Sequence, residues 1–402
     1  MTSVLQGVRV LEVAQWTFAP AAAGVLADFG ADVIKVEDPV TGDPQRGLAT
    51  AGISPVVDGV NLVHEQTNRG KRSIGLDLRT EQGHAVLARL VERCDVFLTN
   101  FLAPARVKLG IEVDDIRRIN PRIVYARATG QGAQGPDADL GGYDFTAYWM
   151  RSGIAASLAP PGGETLVMQP PAFGDKAAAM NLAFGIAAAL FQRERTGQAA
   201  VVDVSLLGTA LWQNSSAVTY TVGLRREFPI QTRPVTNPLA HPYRTADGRW
   251  LVLMMLESDR YWSDLCRHIG REDLMSDSRF VDAGARREHS DACVQELGRV
   301  FAGADLATWR ERLRTVAGPW APAQTMLEAS QDLQTRANGC LAELDDGAGG
   351  TRATVVASPV RFDEASTVLG RAPEHGEHTE SVLLDLGYSW DDITALKDAR
   401  II

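Results

Sequence analysis

The residues best suited to covalent chemistry lie in Gln169–Asp175 (QPPAFGD). The two prolines predict an extended approach to a long helix that is rich in small residues, with Asp175 at its N-cap and Thr196-Gly197 at its end. Capping alone would explain an aspartate at this position. The position also suits a nucleophile, because a helix N-terminus favours an ionised carboxylate that can attack an activated acyl group. Free N–H groups of the helix could stabilise the resulting oxyanion.

Several common phosphate-binding and hydrolase motifs are absent. The turn Ala14–Pro20 lacks the G-x-G-x-x-G pattern, so Glu37, which follows the second predicted strand, does not by itself indicate NAD. The segment Arg69–Ser73 resembles the end of a P-loop, but Glu65 stands where the first glycine is required. No G-x-S-x-G nucleophile elbow occurs. The sequence therefore favours neither a dehydrogenase, nor a P-loop enzyme, nor a serine hydrolase.

One close cluster of histidine and acid, His375, Glu377 and His378, could hold a metal ion. The alternative is a turn that leads into a helix capped by Thr379. We predict this turn, no metal site and no tightly bound cofactor.

Alternating strands and helices must position these residues. Helix-like segments such as Thr80–Cys94 separate short apolar runs, which predicts a parallel α/β sheet with ligands beyond the carboxyl ends of its strands. The predicted strands are Val8–Val13, Asp32–Val36, Ser73–Leu76, Val96–Thr99 and Arg122–Ala126.

The sequence pattern changes near Glu227. Prolines 229, 234, 238 and 242 predict a linker, and Ala246-Asp247-Gly248 predicts a hairpin turn between Tyr243–Arg244 and Trp250–Met255. Helices follow at Asp259–Ile269 and Ala307–Val316, and a Gly/Asp-rich stretch at 345–350 predicts another linker. We expect a Rossmann-like large domain over 1–226, a small α+β domain over 227–340, and a segment over 341–402 that returns to the large domain.

Composition limits the class of protein. The chain has 402 residues, 45% of them apolar and 22% charged, which is typical of a globular protein of two or three domains. No apolar run is long enough for a membrane span, and Met1–Val8 does not resemble a signal peptide. The net charge of −10 argues against nucleic acid as the main partner. Four cysteines without a C-x-x-C pair predict reduced thiols and a cytoplasmic location; they are Cys94, Cys266, Cys293 and Cys340.

The order and spacing of short motifs along almost the whole chain resemble the class III coenzyme A transferases, the family of formyl-CoA and carnitine CoA transferases. The motifs are Leu5–Glu12, Leu26–Glu37, Gly42–Pro44, Asn68–Ser73, Asn100–Phe101, Gly174–Asp175, Arg195–Gly197, Ala246–Gly248 and Gly376–Glu380. The resemblance implies that Asp175 attacks an acyl-CoA thioester to give a mixed anhydride, after which CoA passes through an enzyme-bound thioester to another acid. Such an exchange needs no ATP, and CoA takes part as substrate.

The resemblance also implies a set of CoA contacts. Lys71 and Lys108 are chemically suited to phosphate, although a solvated surface role would also explain them. The matching positions are Thr17, Phe18, Asn68, Lys71, Asn100, Phe101, Leu102, Lys108, Tyr143 and Asp144.

Two positions depart from the family pattern. Asp38 stands where some members carry an arginine that faces the nucleotide, and Lys35 is no substitute because it lies within a strand. Met254–Glu257 stands near the place of a glycine-rich loop in formyl-CoA transferases, so we expect no such lid and a substrate other than oxalate.

The same fold hosts 2-methylacyl-CoA racemases, which leaves an alternative reaction. Racemase relatives carry Gly-His-Asp where this chain has Gly142-Tyr143-Asp144, and a tyrosine with a pKa of about 10 is a poor base, so transfer is favoured. The aromatic residues Phe145, Tyr148 and Trp149 either form core or line an acyl site for an apolar or ring-bearing group. Arg151 could pair with an acid.

The resemblance further implies an interlocked homodimer. A CoA-binding sensor without activity is a weaker alternative, because Asp175 is intact. The donor and acceptor acids are not identified by the sequence.

Overall fold

The computed structural model describes residues 3–159, 164–227, 235–345, 350–364 and 369–402. The strands are β1 (Arg9–Val13), β2 (Asp32–Glu37), β3 (Val56–Val57), β4 (Val60–Asn61), β5 (Arg72–Gly75), β6 (Val96–Thr99), β7 (Val124–Thr129), β8 (Val201–Ser205), β9 (Pro242–Arg244), β10 (Trp250–Leu253), β11 (Trp320–Pro322), β12 (Leu341–Asp345) and β13 (Thr351–Val356).

The α-helices are α1 (Phe18–Asp28), α2 (Pro44–Thr50), α3 (Leu62–Asn68), α4 (Glu81–Arg93), α5 (Ala103–Lys108), α6 (Val113–Ile119), α7 (Ile154–Leu158), α8 (Phe173–Thr196), α9 (Leu206–Gln213), α10 (Ser215–Leu224), α11 (Ser258–His268), α12 (Ala283–Glu288), α13 (Ser290–Phe301), α14 (Leu306–Arg312), α15 (Met326–Gln331), α16 (Leu333–Ala337), α17 (Thr379–Asp385) and α18 (Trp390–Asp398). A π-helix spans Asp144–Met150 and a 3₁₀ helix spans Glu272–Met275. None of the helices in the described ranges is long and apolar enough to cross a membrane.

The chain divides into two compact units, a large unit of Met1–Phe228 with Arg336–Ile402 and a small unit of Pro229–Thr335. The first predicted linker falls partly on residues 228–234, and the second partly on 346–349. Both of these segments lie outside the described residues.

A six-stranded parallel sheet forms the centre of the large unit, in the order β5-β2-β1-β6-β7-β8. If the short hairpin of β3 and β4 is set aside, this is the strand order of doubly wound nucleotide-binding folds. The predicted Rossmann-like sheet is confirmed. In such folds ligands bind where the strand order reverses, which here is beyond the carboxyl ends of β1 and β6.

Most strands of this sheet could be predicted from the sequence because they are apolar and buried on both faces. One face packs on α1 and α8. The other face packs on α4 and the C-terminal helices α17 and α18. Strand β7 begins later than predicted because Arg122 is held in a turn by Asn120. Strand β8 was missed because it is a half-exposed edge strand without a strongly apolar run.

The small unit holds an antiparallel sheet in the order β11-β10-β9. The predicted hairpin is confirmed, with Trp250 paired to Arg244 and the turn at residues 246–248. Helices α11, α13 and α14 cover this sheet, and their core includes Trp262, Phe301 and Trp309.

Candidate active site

Asp175 lies in the first turn of helix α8. The sequence had predicted it at the N-cap, and that prediction is wrong. The helix begins at Phe173, and Ala172 precedes it with φ of 60°. A left-handed conformation is uncommon for a residue with a Cβ. This turn starts the helix three residues before the expected position, so Asp175 does not cap it.

Asp144 caps the helix from another part of the chain. Its Oδ1 atom accepts a hydrogen bond of 2.9 Å from the backbone N–H of Gly174. Gly174 permits this approach, because a Cβ there would lie 2.5 Å from that oxygen and 2.2 Å from the ring of Tyr148. The backbone N–H of Gly174 is therefore bonded to Asp144, so it is not among the free N–H groups that could stabilise an oxyanion.

The pKa of Asp175 is raised to about 7, first by burial and second by the charge of Asp144, with Lys176 acting in the opposite direction. Burial also raises the pKa of Asp144. The pKa of Lys176 is lowered to about 7 by burial and by the charge of Arg69. Perturbed groups of this kind are common at functional sites.

Asp175 opens into a cleft of about 330 Å³ beyond the carboxyl ends of the central strands. Seven of the predicted site residues line this cleft: Thr17, Phe18, Asn100, Phe101, Leu102, Tyr143 and Asp175. Its other lining residues are Gln15, Trp16, Ala105, Ala128, Thr129, Gly130, Gly141, Gly142 and Leu206. Asp175 is the one charged residue among the described residues of the lining.

Two contacts tie the cleft together. The amide of Asn100 accepts from the N–H of Gln15 at 3.0 Å and donates to its carbonyl at 2.7 Å, which joins the loops after β1 and β6. Trp16 and the exposed Tyr143 meet edge to face, with ring centroids 5.9 Å apart. Trp16 has φ of 68°, and its N–H donates to Asp43. Such strain at a non-glycine residue is often found at functional sites.

The structure corrects the expected phosphate contact of Lys71. Its side chain is fully buried, and its ammonium group donates to Glu12 at 2.6 Å, to the carbonyl of Pro20 at 2.7 Å and to Asn68 at 2.9 Å. Asn68 is itself fully buried. These two residues hold the interior together and present no polar atom to a phosphate.

Two other expected contacts also lie away from the cleft lining. Asp144 is buried and engaged by helix α8. Lys108 is exposed at the end of α5, where its ammonium group is available to solvent.

A smaller cavity adjoins the cleft, because Gln15 and Phe101 line both. Asp38 lies in it, and Arg79 Nη2 is 3.5 Å from the Asp38 carboxylate. The Arg79 side chain is 61% exposed. Lys35 is fully buried between Glu12 and Asp43, as its place in a strand predicted.

The remaining sequence candidates have structural roles. Tyr148 and Trp149 belong to the core, and Arg151 pairs with Asp137 at 2.6 Å. No group of three potential metal ligands occurs within the described ranges. Helix α17 begins at Thr379 with His378 before it, so Thr379 is the first helical residue and not the N-cap.

The sequence did not predict that Gln15 and Trp16 line the cleft or that Asp144 caps helix α8. The first two follow β1 directly, so their place after a strand of a parallel sheet was an available signal. The role of Asp144 carried no local signal.

Comparison with known proteins agrees with this geometry. The model of CoA-transferase family III matches residues 5–379. The (R)-2-hydroxy-4-methylpentanoate CoA-transferase of Clostridioides difficile is 31% identical over 99% of both chains. The cinnamoyl-CoA:phenyllactate CoA-transferase of Clostridium sporogenes is 33% identical over 100% of this chain and 98% of its own. The succinate–glutarate CoA-transferase of Agrobacterium fabrum is 32% identical over 95% of both chains.

Solved structures show the same fold. A CAIB/BAIF family protein from Brucella suis superposes with a TM-score of 0.82 and 26% identity, covering 96% of this chain and 100% of its own. Rv3272 from Mycobacterium tuberculosis superposes with a TM-score of 0.78 and 30% identity over 94% and 98% of the two chains. The chain belongs to CoA-transferase family III and is an enzyme of the CoA-transferase type.

Proposed function

We propose that the enzyme transfers CoA from an acyl-CoA to a free carboxylic acid through covalent intermediates on Asp175. The Asp175 carboxylate attacks the thioester carbonyl, the C–S bond breaks, and CoA leaves as thiolate from a mixed anhydride. The thiolate then attacks the aspartyl carbonyl, which releases the donor acid and forms an enzyme–CoA thioester. The acceptor acid repeats both steps in reverse, which yields its own CoA thioester and frees Asp175.

One observation carries this proposal: the carboxylate of Asp175 faces the cleft and does not cap its own helix. Because Asp144 accepts the N–H of Gly174, the carboxylate of Asp175 is released from that role. It is then the only charged group among the described residues that line the cleft. This is the arrangement that a nucleophile needs.

We place CoA along the cleft and the cavity that adjoins it, at the carboxyl ends of β2, β1 and β6. The shared residues Gln15 and Phe101 support a single elongated ligand. Family members with an arginine at position 38 face the nucleotide with it, and in this chain the guanidinium of Arg79 lines the same cavity. It is paired there with Asp77 at 2.7 Å and lies 3.5 Å from Asp38. Our candidate for the nucleotide contact that Asp38 does not provide is Arg79, which would exchange part of its pairing with Asp77 for a phosphate, and Lys108 is a second exposed cation for the phosphates.

The cleft favours monocarboxylic acids with an apolar or aromatic body. Its walls include Trp16, Phe18, Leu102 and Leu206, whereas no described lining residue carries a positive charge that would pair with a second carboxylate. Burying an unpaired charge is costly. This substrate class fits the names of the relatives that act on 4-methylpentanoate and phenyllactate derivatives better than the names of those that act on dicarboxylates.

A homodimer is the assembly that we propose, in line with the family resemblance. Large apolar side chains are exposed on the large unit, with Phe184 at 76%, Phe191 at 66%, Trp212 at 74% and Val222 at 72%. Exposed apolar side chains on this scale mark interaction surfaces. A cytoplasmic location is proposed from the four free thiols.

The racemase alternative requires an acid and a base on opposite faces of C2. No histidine, lysine or glutamate lies in the described lining, and Tyr143 is 62% exposed at its edge. The deciding experiment incubates the enzyme with a 2-methylacyl-CoA in heavy water, first alone and then with a panel of acids. New acyl-CoA products without deuterium at C2 support transfer, whereas deuterium uptake without any transfer establishes the racemase.

A further inference from the structure

We propose that Asp144 is a positioning residue for the nucleophile. It caps helix α8, which leaves the Asp175 carboxylate free, and its negative charge favours the neutral, acylated form of Asp175 over the ionised form. This inference rests on the proposed aspartyl nucleophile.

The two oxygens of Asp144 have different surroundings. Oδ1 accepts the N–H of Gly174, whereas Oδ2 is buried and accepts no hydrogen bond of good geometry from the described residues. The side chain of Gln169 and the N–H groups of Phe173 and Asp175 also lie close enough to favour the ionised form of Asp144, against the larger effect of burial. The whole residue is 5% exposed. The groups that favour the ionised form of Asp144 are neutral hydrogen-bond donors and include no cation among the described residues. A buried carboxylate without a cationic partner is costly and points to a function.

The backbone on both sides is built to hold this arrangement. Asp144 is the first residue of a π-helix, an element that is frequent at functional sites. Ala172 enters α8 in the left-handed conformation. Gly174 admits the oxygen of Asp144 and the ring of Tyr148, which no other residue type would allow. Three unusual features of independent origin therefore converge on one contact.

Few charges act on Asp175. Burial is the largest cause of the raised pKa of Asp175; the charge of Asp144, on the π-helix, adds to it, and the charge of Lys176, in the first turn of α8, opposes it. The phenol of Tyr148, whose pKa is raised by burial and by Asp144, is neutral at physiological pH. Tyr143 lies in the same cleft as an exposed phenol. The negative neighbour is thus Asp144 and the positive one Lys176.

The charge of Asp144 acts on one chemical step. When the Asp175 oxygen bonds to the acyl carbon and the C–S bond breaks, the negative charge leaves Asp175 and departs with the CoA thiolate. The repulsion between the two carboxylates ends at that step, so Asp144 lowers the cost of acylation. It does so without touching the reacting atoms.

The test compares Asp144→Asn, which keeps an acceptor for Gly174 but removes the charge, with Asp144→Ala, which removes both. Asp137→Asn is the matched control, since it removes a surface charge at the salt bridge with Arg151. Titration of Asp175 is followed by NMR of enzyme carrying ¹³C-labelled aspartate, without substrate. Acylation is followed as the burst of CoA released from an acyl-CoA.

In Asp144→Asn we expect the pKa of Asp175 to fall by about one unit and the burst at pH 8 to slow about tenfold. The thermal midpoint should not be lowered, because the amide keeps the acceptor for Gly174 and removes a buried charge. Asp144→Ala should show the same titration and a lower midpoint, and Asp137→Asn should match the wild type. An unchanged Asp175 titration in Asp144→Asn overturns the inference. A wild-type enzyme that releases no CoA refutes the proposed function instead, and the substrate-free titration still decides the effect of Asp144.

Discussion

The ammonium group of Lys71 donates a hydrogen bond of 2.6 Å to Oε2 of Glu12 in the interior of the large unit. The other oxygen of Glu12 accepts from Lys35 at 2.8 Å, so one carboxylate bridges two buried lysines. Burial, opposed by Glu12 and reinforced by Lys35, lowers the pKa of Lys71 to about 8. Lys71 is therefore part of the framework beneath the loop after β1, and it is not part of the CoA site that we propose.

Replacement of Lys71 should affect stability before it affects binding. Lys71→Ala leaves Glu12 with half of its partners and should lower the free energy of unfolding by about 3–5 kcal/mol. Chemical denaturation measures this loss, and calorimetry on the folded variant should give a CoA affinity equal to that of the wild type. Lys397→Ala, at an exposed pair with Glu380, is the control that should stay within about 0.5 kcal/mol. Weaker CoA binding by a variant of normal stability would contradict the structural role.

Asp175→Asn should abolish CoA transfer while the fold is retained. The amide cannot form the anhydride, and Asp144 still caps α8, so the helix does not depend on Asp175. We expect a loss of at least about 10³-fold in the rate of transfer, measured by exchange between an acyl-CoA and a labelled acid. Asp203→Asn, which removes an exposed partner of Arg127, is the control. Transfer within tenfold of the wild type in Asp175→Asn would exclude the nucleophile.

The raised pKa of Asp175 makes the folded enzyme less stable as the pH rises. The folded protein binds its proton up to about pH 7, whereas the unfolded chain releases it near 4, so stability falls between these values and the loss persists above pH 7. Asp175→Asn should therefore unfold at a higher denaturant concentration than the wild type at pH 8, with a smaller difference at pH 4.5. Lys176, which loses a favourable neighbour, limits the gain. An equal difference at both pH values would show that Asp175 is not perturbed.

CoA should bind less tightly when the exposed cations near the adjoining cavity are removed. Arg79→Ala and Lys108→Ala should each raise the Kd for CoA several-fold at low salt, and the effect should shrink at high salt because exposed charges are screened. Calorimetry with CoA and with dephospho-CoA measures it and shows which phosphate each residue contacts. Arg299→Ala, on the small unit, is the charge-matched control. An unchanged affinity for CoA in the double variant would show that the nucleotide binds away from Arg79 and Lys108.

The acceptor should be a monocarboxylate with an apolar body. In competition for one labelled acyl-CoA, 4-methylpentanoate-like or aryl acids should outcompete succinate and glutarate by at least about tenfold, because the described lining offers no cation for a second carboxylate. The assay is mass spectrometry of the acyl-CoA products. Leu206→Arg should reduce the preference for monocarboxylates over dicarboxylates, because it adds a positive charge to the cleft. A preference of the wild type for dicarboxylates would contradict this substrate class.

The sequence by itself determined five of the six strands of the central sheet, the family and the nucleophile candidate. These five strands contain short apolar runs, because both faces of the sheet are buried, and such runs are visible without any partner. Asp175 was recognisable from its local context at the start of a helix. The loops after Val13 and Thr99 could be named as parts of the candidate site, because parallel strands end at one edge of the sheet.

Only the tertiary structure decided how the charged and polar groups are paired. Asp144 caps a residue 30 positions away, and Lys71 finds Glu12 across 59 positions, where the sequence offered each of them as a ligand contact. The physical reason is that a cap or an ion pair depends on distance and burial, which packing fixes and sequence separation does not. Lys108 and Lys71 look alike in the sequence. In the folded chain Lys108 is exposed at the end of a helix, whereas Lys71 is buried and paired with Glu12.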